Sequence, residues 1–216
     1  MKENVVITIA RQYGSGGCYV GQKLSEKLGI PLIDKELLEM ASIESGISQN
    51  LFNLADEKVR RGFLDKLRGD TYESIKLPTE ENFQSDRNLF NYQAMILRRM
   101  VLNDSFIVIG RAASYILKDY PNVVNVNIQA PYEVCVESII SRKGVTEKKA
   151  RKDVKNINKY RRDFHKYYTG EKWELIDEYD LILNSYRIGR DECVDVIIDY
   201  VERKFGKKLT VKKEES

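Results

Sequence analysis

Residues 7–30, ITIARQYGSGGCYVGQKLSEKLGI, carry the reading that decides the fold. The stretch opens as a β-branched strand and turns through Gly14, Ser15, Gly16 and Gly17. It continues as a helix on which Val20, Leu24 and Leu28 recur every fourth residue. Strand, glycine turn and helix are the layout of a phosphate-binding loop, whose backbone N–H groups and positive helix end hold an anion. The pattern G-x-x-x-x-G-K-[ST] is not met, however. Gly17 stands where the lysine belongs, and Cys18 stands where a hydroxyl would bind Mg²⁺. A thiol is a poor ligand for that hard cation. The turn alone fits a ligand-free strand–helix connection equally well. Arg11 at its mouth tilts the reading toward a phosphate cradle, because a guanidinium has permanent charge and suits phosphate oxygens. On this reading Arg11→Ala cuts turnover, and Gly17→Lys partly rescues the loss.

Outward from this loop, apolar runs alternate with helical patterns. Strands are expected at 5–10, 31–33, 105–110, 123–128 and 180–184. Gly29 and Pro31 stop the first helix. Asp34 sits at a helix N-cap position ahead of ELLEMASIES, and Ser48 can cap the next helix. Helices are also expected at 87–102, from Pro131 onward, and at 190–204. The polar stretch 68–86 reads as a mobile loop and the last residues as a frayed tail. Apolar strands separated by helices argue for a parallel sheet covered on both faces. Ligands of such sheets bind at the strand carboxyl ends. That edge carries Arg11–Cys18, Asp34, Gly110–Arg111 and Asn184–Ser185.

Composition narrows the classes. The 216 residues suit one domain, and 32% of them are charged. No apolar run approaches a membrane span, and the charged start MKEN has no apolar leader, so a cytoplasmic location is expected. Three scattered cysteines and a single histidine, His165, argue against a disulfide framework, a zinc site or Ser-His chemistry. The net charge of +3 hides an asymmetry. Residues 142–166 hold eleven Lys/Arg and three Asp/Glu. Lys148, Arg151, Lys152, Lys155, Lys159, Arg162 and Lys166 form one stripe at helical spacing, and Val154, Ile157, Phe164 and Tyr168 form an apolar stripe elsewhere on the same helix. A charge run usually means a solvated face, but a stripe so one-sided favours an anionic ligand.

These motifs together resemble the cytidylate kinase-like family, a branch of the nucleoside monophosphate kinase fold. The resemblance rests on ARQYGSGG, GQKLSEKLGIPLIDKELLEMA, SDRNLF, IVIGRAASYIL, APYEV, RRDFHKYYTG and YDLILNSYRIG, and covers about residues 4–203. Cytidylate kinases have GSGKST where this chain has GSGGCY. The family more often has Arg after GSGG, and this chain has Cys18.

The resemblance implies a P-loop NTPase-like three-layer α/β/α domain with a five-stranded parallel sheet. Its core is expected at about 4–35 and 104–204, with an acceptor-binding helical insertion at 36–103. A lid and basic helix follow at 142–170, and a tail at 205–216. It implies phosphoryl transfer from ATP, with Mg²⁺, to a nucleoside monophosphate, expected to be CMP. The alternative is a weakened kinase fold that binds or senses a nucleotide. Gly14, Ser15, Gly16, Gly17 and Cys18 would cradle the donor phosphates. Asp34, Asp86, Arg87 and Arg111 would face the acceptor. Arg11, Arg142, Arg161 and Arg162 would act on the transferring group. Small nucleotides are the expected partners. A membrane is not expected, and nucleic acid is disfavoured because positive charge is confined to one segment.

Overall fold

The computed structural model describes residues 4–34, 36–61, 75–76, 78–81, 83–206 and 208. Five parallel strands form one sheet in the order β2-β3-β1-β4-β5. They are β1 Val6–Arg11, β2 Leu32–Ile33, β3 Phe106–Ile109, β4 Val123–Gln129 and β5 Leu181–Asn184. All five lie where the apolar runs place them. The chain leaves β1 for the β3 and β2 side and later crosses to β4 and β5. The carboxyl end of β1 is therefore a topological switch point, where such sheets bind ligands.

Two faces of the sheet are buried differently. On one face, α1 (Gly17–Leu28) and α9 (Arg190–Phe205) cover Ile7, Ile9, Ile107, Ile109, Val124, Val126 and Ile128. The other face meets α2 (Glu36–Ser45), α3 (Gln49–Arg61), α4 (Asp86–Asn103), α5 (Ala113–Ile116) and α7 (Glu147–Thr169). Here Val6, Phe106 and Val108 share one core with Leu37, Phe52, Leu97, Phe164 and Tyr168. The helices expected as an acceptor-binding insertion are thus packed into the sheet's own core. α6 (Tyr132–Lys143) and the start of α7 form a smaller cluster with Ala130 and Tyr13. β4 explains its alternating pattern, because Asn125 and Asn127 point to the α7 side. Asn125 Oδ1 accepts from Thr8 Oγ1 on β1 at 2.7 Å.

The segment expected as a lid comprises the end of α6, a three-residue turn and the 23-residue α7. α7 is about 34 Å long at 1.5 Å per residue. Thr146 caps it by accepting from the Lys149 amide at 3.4 Å. Much of the expected loop 68–86, and nearly all of the expected tail, lie outside the described residues. Among the described residues no helix is long and apolar enough to cross a membrane. The short α5 and α8 (Ser185–Ile188) give no periodic signal in sequence.

Candidate active site

The glycine loop joins β1 to α1. Gly14 and Gly16 take φ of 93° and 87°, a left-handed backbone that side-chain-bearing residues disfavour. Gly16 is the N-cap of α1 and supplies no side-chain hydrogen bond, so the loop caps the helix with backbone alone. Ser15 is buried and its hydroxyl donates to Gln12 O at 2.9 Å. From the end of β5, Ser185 Oγ donates to Ser15 O at 2.6 Å. The residue after strand five therefore fixes the loop.

Arg11 and Gly17 are physically linked. A β-carbon at position 17 would lie 2.5 Å from Arg11 Cβ and 3.0 Å from its Cγ. The absent side chain at 17 is what lets the Arg11 stem pass. From there the guanidinium reaches the space beside Gly110, where a β-carbon would collide with Arg11 Nη1. Position 11 is also the first glycine of the G-x-x-x-x-G-K-[ST] pattern, so the chain departs from that motif at 11, 17 and 18. This corrects one expectation. Gly17→Lys cannot rescue Arg11→Ala, because alanine keeps the β-carbon that the new side chain would strike.

A cavity of about 180 Å³ opens at this edge, between the sheet and α7. Arg11, Asp34, Gly110, Arg111 and Arg161 line it, with Tyr160, Phe164, His165 and Trp173 as further walls. Arg111 is placed by three consecutive left-handed residues, Gly110, Arg111 and Ala112, at φ of 73°, 58° and 53°. Left-handed backbone costs a non-glycine residue about 1–2 kcal/mol. Such strain persists where surrounding structure enforces it, and it collects at functional sites. Arg161 comes from the inward face of α7, and its Nη1 donates to Arg11 O at 2.7 Å. Among the described residues Arg161 has no carboxylate partner. Burial first, and then the nearby Arg11 charge, push its pKa down to about 9, so it still carries its charge at neutral pH. Arg11 Nε is buried without a hydrogen-bond partner. Buried donors of this kind call for an acceptor.

The proposed residues do not all meet there. Arg142 is exposed, with its guanidinium 5.8 Å from the Tyr13 ring centroid, as is that of Arg161. Arg162 points away from the cavity and pairs with Glu174 at 3.3 Å on the surface. Arg87 donates to Tyr168 O at 2.9 Å and lies 5.8 Å from the Tyr167 and Tyr168 ring centroids. It ties α4 to the end of α7. Asp86 accepts at its backbone carbonyl from Tyr168 Oη at 3.4 Å. Neither residue lines the cavity. Asp34 does, and its amide donates to Glu36 Oε2 at 2.9 Å. The helix begins at Glu36, so Asp34 precedes the cap position expected for it.

Two residues escape sequence reasoning. His165 is 2% exposed, lines the cavity, and has Nε2 3.4 Å from Glu178 Oε1. Burial would raise the Glu178 carboxyl, but hydrogen bonds from His165 and Glu171 hold it below the usual range. A lone histidine in a basic run gives no sign of this. Arg190 lies against the glycine loop from α9, with its Nη2 donating to Ser138 Oγ at 2.9 Å. Its only sequence signal is its place shortly after a strand's carboxyl end.

A magnesium site does not fit these residues. The Ser15 hydroxyl is spent on Gln12, Cys18 offers a soft sulfur, and the cavity presents one carboxylate among the described residues. No group of three or more His, Cys, Asp or Glu side chains suited to a metal occurs among them.

Solved structures share this fold. An uncharacterized protein from Eubacterium ventriosum ATCC 27560 is 26% identical over 92% of this chain and 99% of its own, with a TM-score of 0.67. A gluconokinase from Sinorhizobium meliloti 1021 is 14% identical over 94% of both chains, with a TM-score of 0.50. A shikimate kinase from Bacteroides thetaiotaomicron is 12% identical over 92% of this chain and 98% of its own, also at 0.50. The last two likenesses show the fold alone. No functionally curated protein matches the chain. A sequence model of the cytidylate kinase-like family matches residues 6–187, and with the loop, sheet order and strand-edge cavity in place the chain belongs to that family.

Proposed function

We propose that the protein transfers a phosphoryl group from a nucleoside triphosphate to a nucleoside monophosphate, with CMP as the expected acceptor. One observation carries this reading. Arg11, Arg111 and Arg161 converge with Asp34 on one cavity beside the glycine loop. Guanidinium groups gathered beside a glycine loop offer planar, permanently charged donors that suit the oxygens of a phosphate monoester, which carries about −1.5 to −2 at pH 7.

The chemistry needs little more than positioning and charge. A transferring phosphoryl group spreads negative charge over its equatorial oxygens, and fixed cations lower its barrier. The loop amides from Gly14 to Cys18 hold the donor phosphates. Arg111 holds the acceptor phosphate. Arg11 spans from the loop to Gly110 and so reaches the gap between the two. Arg161 is held by Arg11 O in a water-poor setting, where a charge acts more strongly than at the surface. Asp34 accepts a hydrogen bond from the acceptor. No strong base is required. Mg²⁺ and ATP are the expected companions of such a reaction, but no step here is assigned to a protein-bound metal. The exposed Arg142 at the start of the 142–170 segment joins only if that segment closes over the ligands.

A coupled assay of ATP consumption with CMP, dCMP, UMP and AMP tests the reading. Turnover with one pyrimidine monophosphate well above the ATP-only rate is the expected result. The lost lysine and hydroxyl favour the second reading, a nucleotide-binding protein without turnover. Saturable nucleotide binding with no product from any acceptor would select it.

A further inference from the structure

A second cation packs against the glycine loop, at Gly16, where Arg11 packs at Gly17. Arg190 is the first residue of α9. A β-carbon on Gly16 would lie 2.6 Å from Arg190 Nε and 2.8 Å from its Cδ. The side chain therefore lies directly against the loop backbone, and Ser138 on α6 holds its tip through the 2.9 Å hydrogen bond. Among the described residues Arg190 has no carboxylate partner. Arg11 has turned the other way, toward Gly110 and the acceptor cavity. This leaves Arg190 as the cation packed against Gly16, in a loop where neither Gly17 nor Cys18 offers a basic side chain.

We infer that Arg190 binds the donor's polyphosphate, and that the work of the lost lysine is divided between two arginines. Arg11 serves the transferring group, while Arg190 serves the part of the triphosphate that crosses Gly16. The bond to Ser138 keeps the guanidinium at the loop before the ligand arrives. On binding, that neutral acceptor gives way to anionic phosphate oxygens, which make stronger, charge-assisted bonds with a planar guanidinium. The inference rests on reading the glycine loop as the donor site.

Isothermal titration of the full chain with ATP, and separately with inorganic tripolyphosphate, tests it at fixed ionic strength. Arg190→Ala is expected to weaken both at least tenfold, and Arg190→Lys to recover part of the loss. CMP binding should stay within twofold in both variants, because the acceptor cavity is lined by other residues. With turnover measured, Arg190→Ala should raise KM for ATP more than it lowers kcat, the reverse of Arg11→Ala. Wild-type and Arg190→Ala affinities for tripolyphosphate within twofold of each other, both variants giving the wild-type circular dichroism spectrum, would overturn the assignment and leave the loop reading standing. If the wild type binds neither ATP nor tripolyphosphate at millimolar concentration, the loop reading falls and takes this inference with it.

Discussion

Arg161 and Arg162 are neighbours in sequence and opposites in the fold. Both belong to the basic run of α7. Arg161 faces inward, is largely buried, and meets the backbone oxygen of Arg11 instead of a carboxylate. Arg162, about 100° further round the helix, faces solvent and pairs with Glu174. Other cations of the run are paired in the same way. Lys149 pairs with Asp153, Arg151 with Glu133 and Glu147, and Lys159 with Asp163. Three of the seven cations in the stripe expected to face an anion, Arg151, Lys159 and Arg162, are therefore answered by carboxylates. The cation that points at the cavity, Arg161, lies outside the stripe. A charge run is informative only once helical phase and partners are known.

That contrast can be broken by mutation. The largest effect is expected at Arg161. Arg161→Met should cut turnover by about 10³-fold or more, in the range of arginines that stabilise a phosphoryl transition state. Its melting temperature should hold or rise, because a buried charge is exchanged for an apolar chain. Turnover within tenfold of wild type would show that Arg161 is structural. Arg11→Ala comes next, at about 10²–10³-fold, the scale of losing one preorganised donor. The double variant Arg11→Gly, Gly17→Lys removes the clashing β-carbon and should restore part of that activity, whereas Gly17→Lys on Arg11→Ala should restore none. Equal recovery in the two backgrounds would refute the linkage between positions 11 and 17.

Smaller effects concern stability. Gly17→Ala should cost about 1–3 kcal/mol in denaturant melts, since its new methyl meets the Arg11 stem. Asp180 gives a pH test away from the cavity. Burial would raise its carboxyl, but Lys204, the Asn125 amide and Tyr200 hold it below its ordinary value. The sign follows from the lowered value. Its contribution is complete above roughly pH 5 and is lost as pH falls through about 3.9 toward the lower folded value. Asp180→Asn should therefore be less stable at pH 7 and lose less on acidification. An unchanged acid profile would remove Asp180 from that role. The smallest effect belongs to Arg162→Ala, within about 0.5 kcal/mol in stability and twofold in turnover, as for an exposed ion pair.

All five strands were legible in sequence because each is a short apolar run bounded by turn residues. The helices with a strong apolar period were legible as well, while the four-residue α5 and α8 were too short to show one. Within the site, the glycine loop and the residues at strand carboxyl ends, Arg11, Asp34 and Arg111, could be placed, because a parallel sheet brings those ends to one edge. The residues that depend on helix phase could not. Arg162 and Arg87 looked as suitable as Arg161 until the fold spent them on Glu174 and on the end of α7. His165 and Arg190 entered only through what they touch.

By itself, the sequence determined the sheet, the residues at its strand carboxyl edge and the absence of the lysine and hydroxyl from the glycine loop. Local propensity and hydrophobic period act over a few neighbouring residues, and that range suffices for these features. Tertiary structure decided which cations converge. It also decided why Gly17 must stay small: Arg11 crosses it on the way to Gly110, over a distance that only packing between β1, α1 and the end of β3 defines.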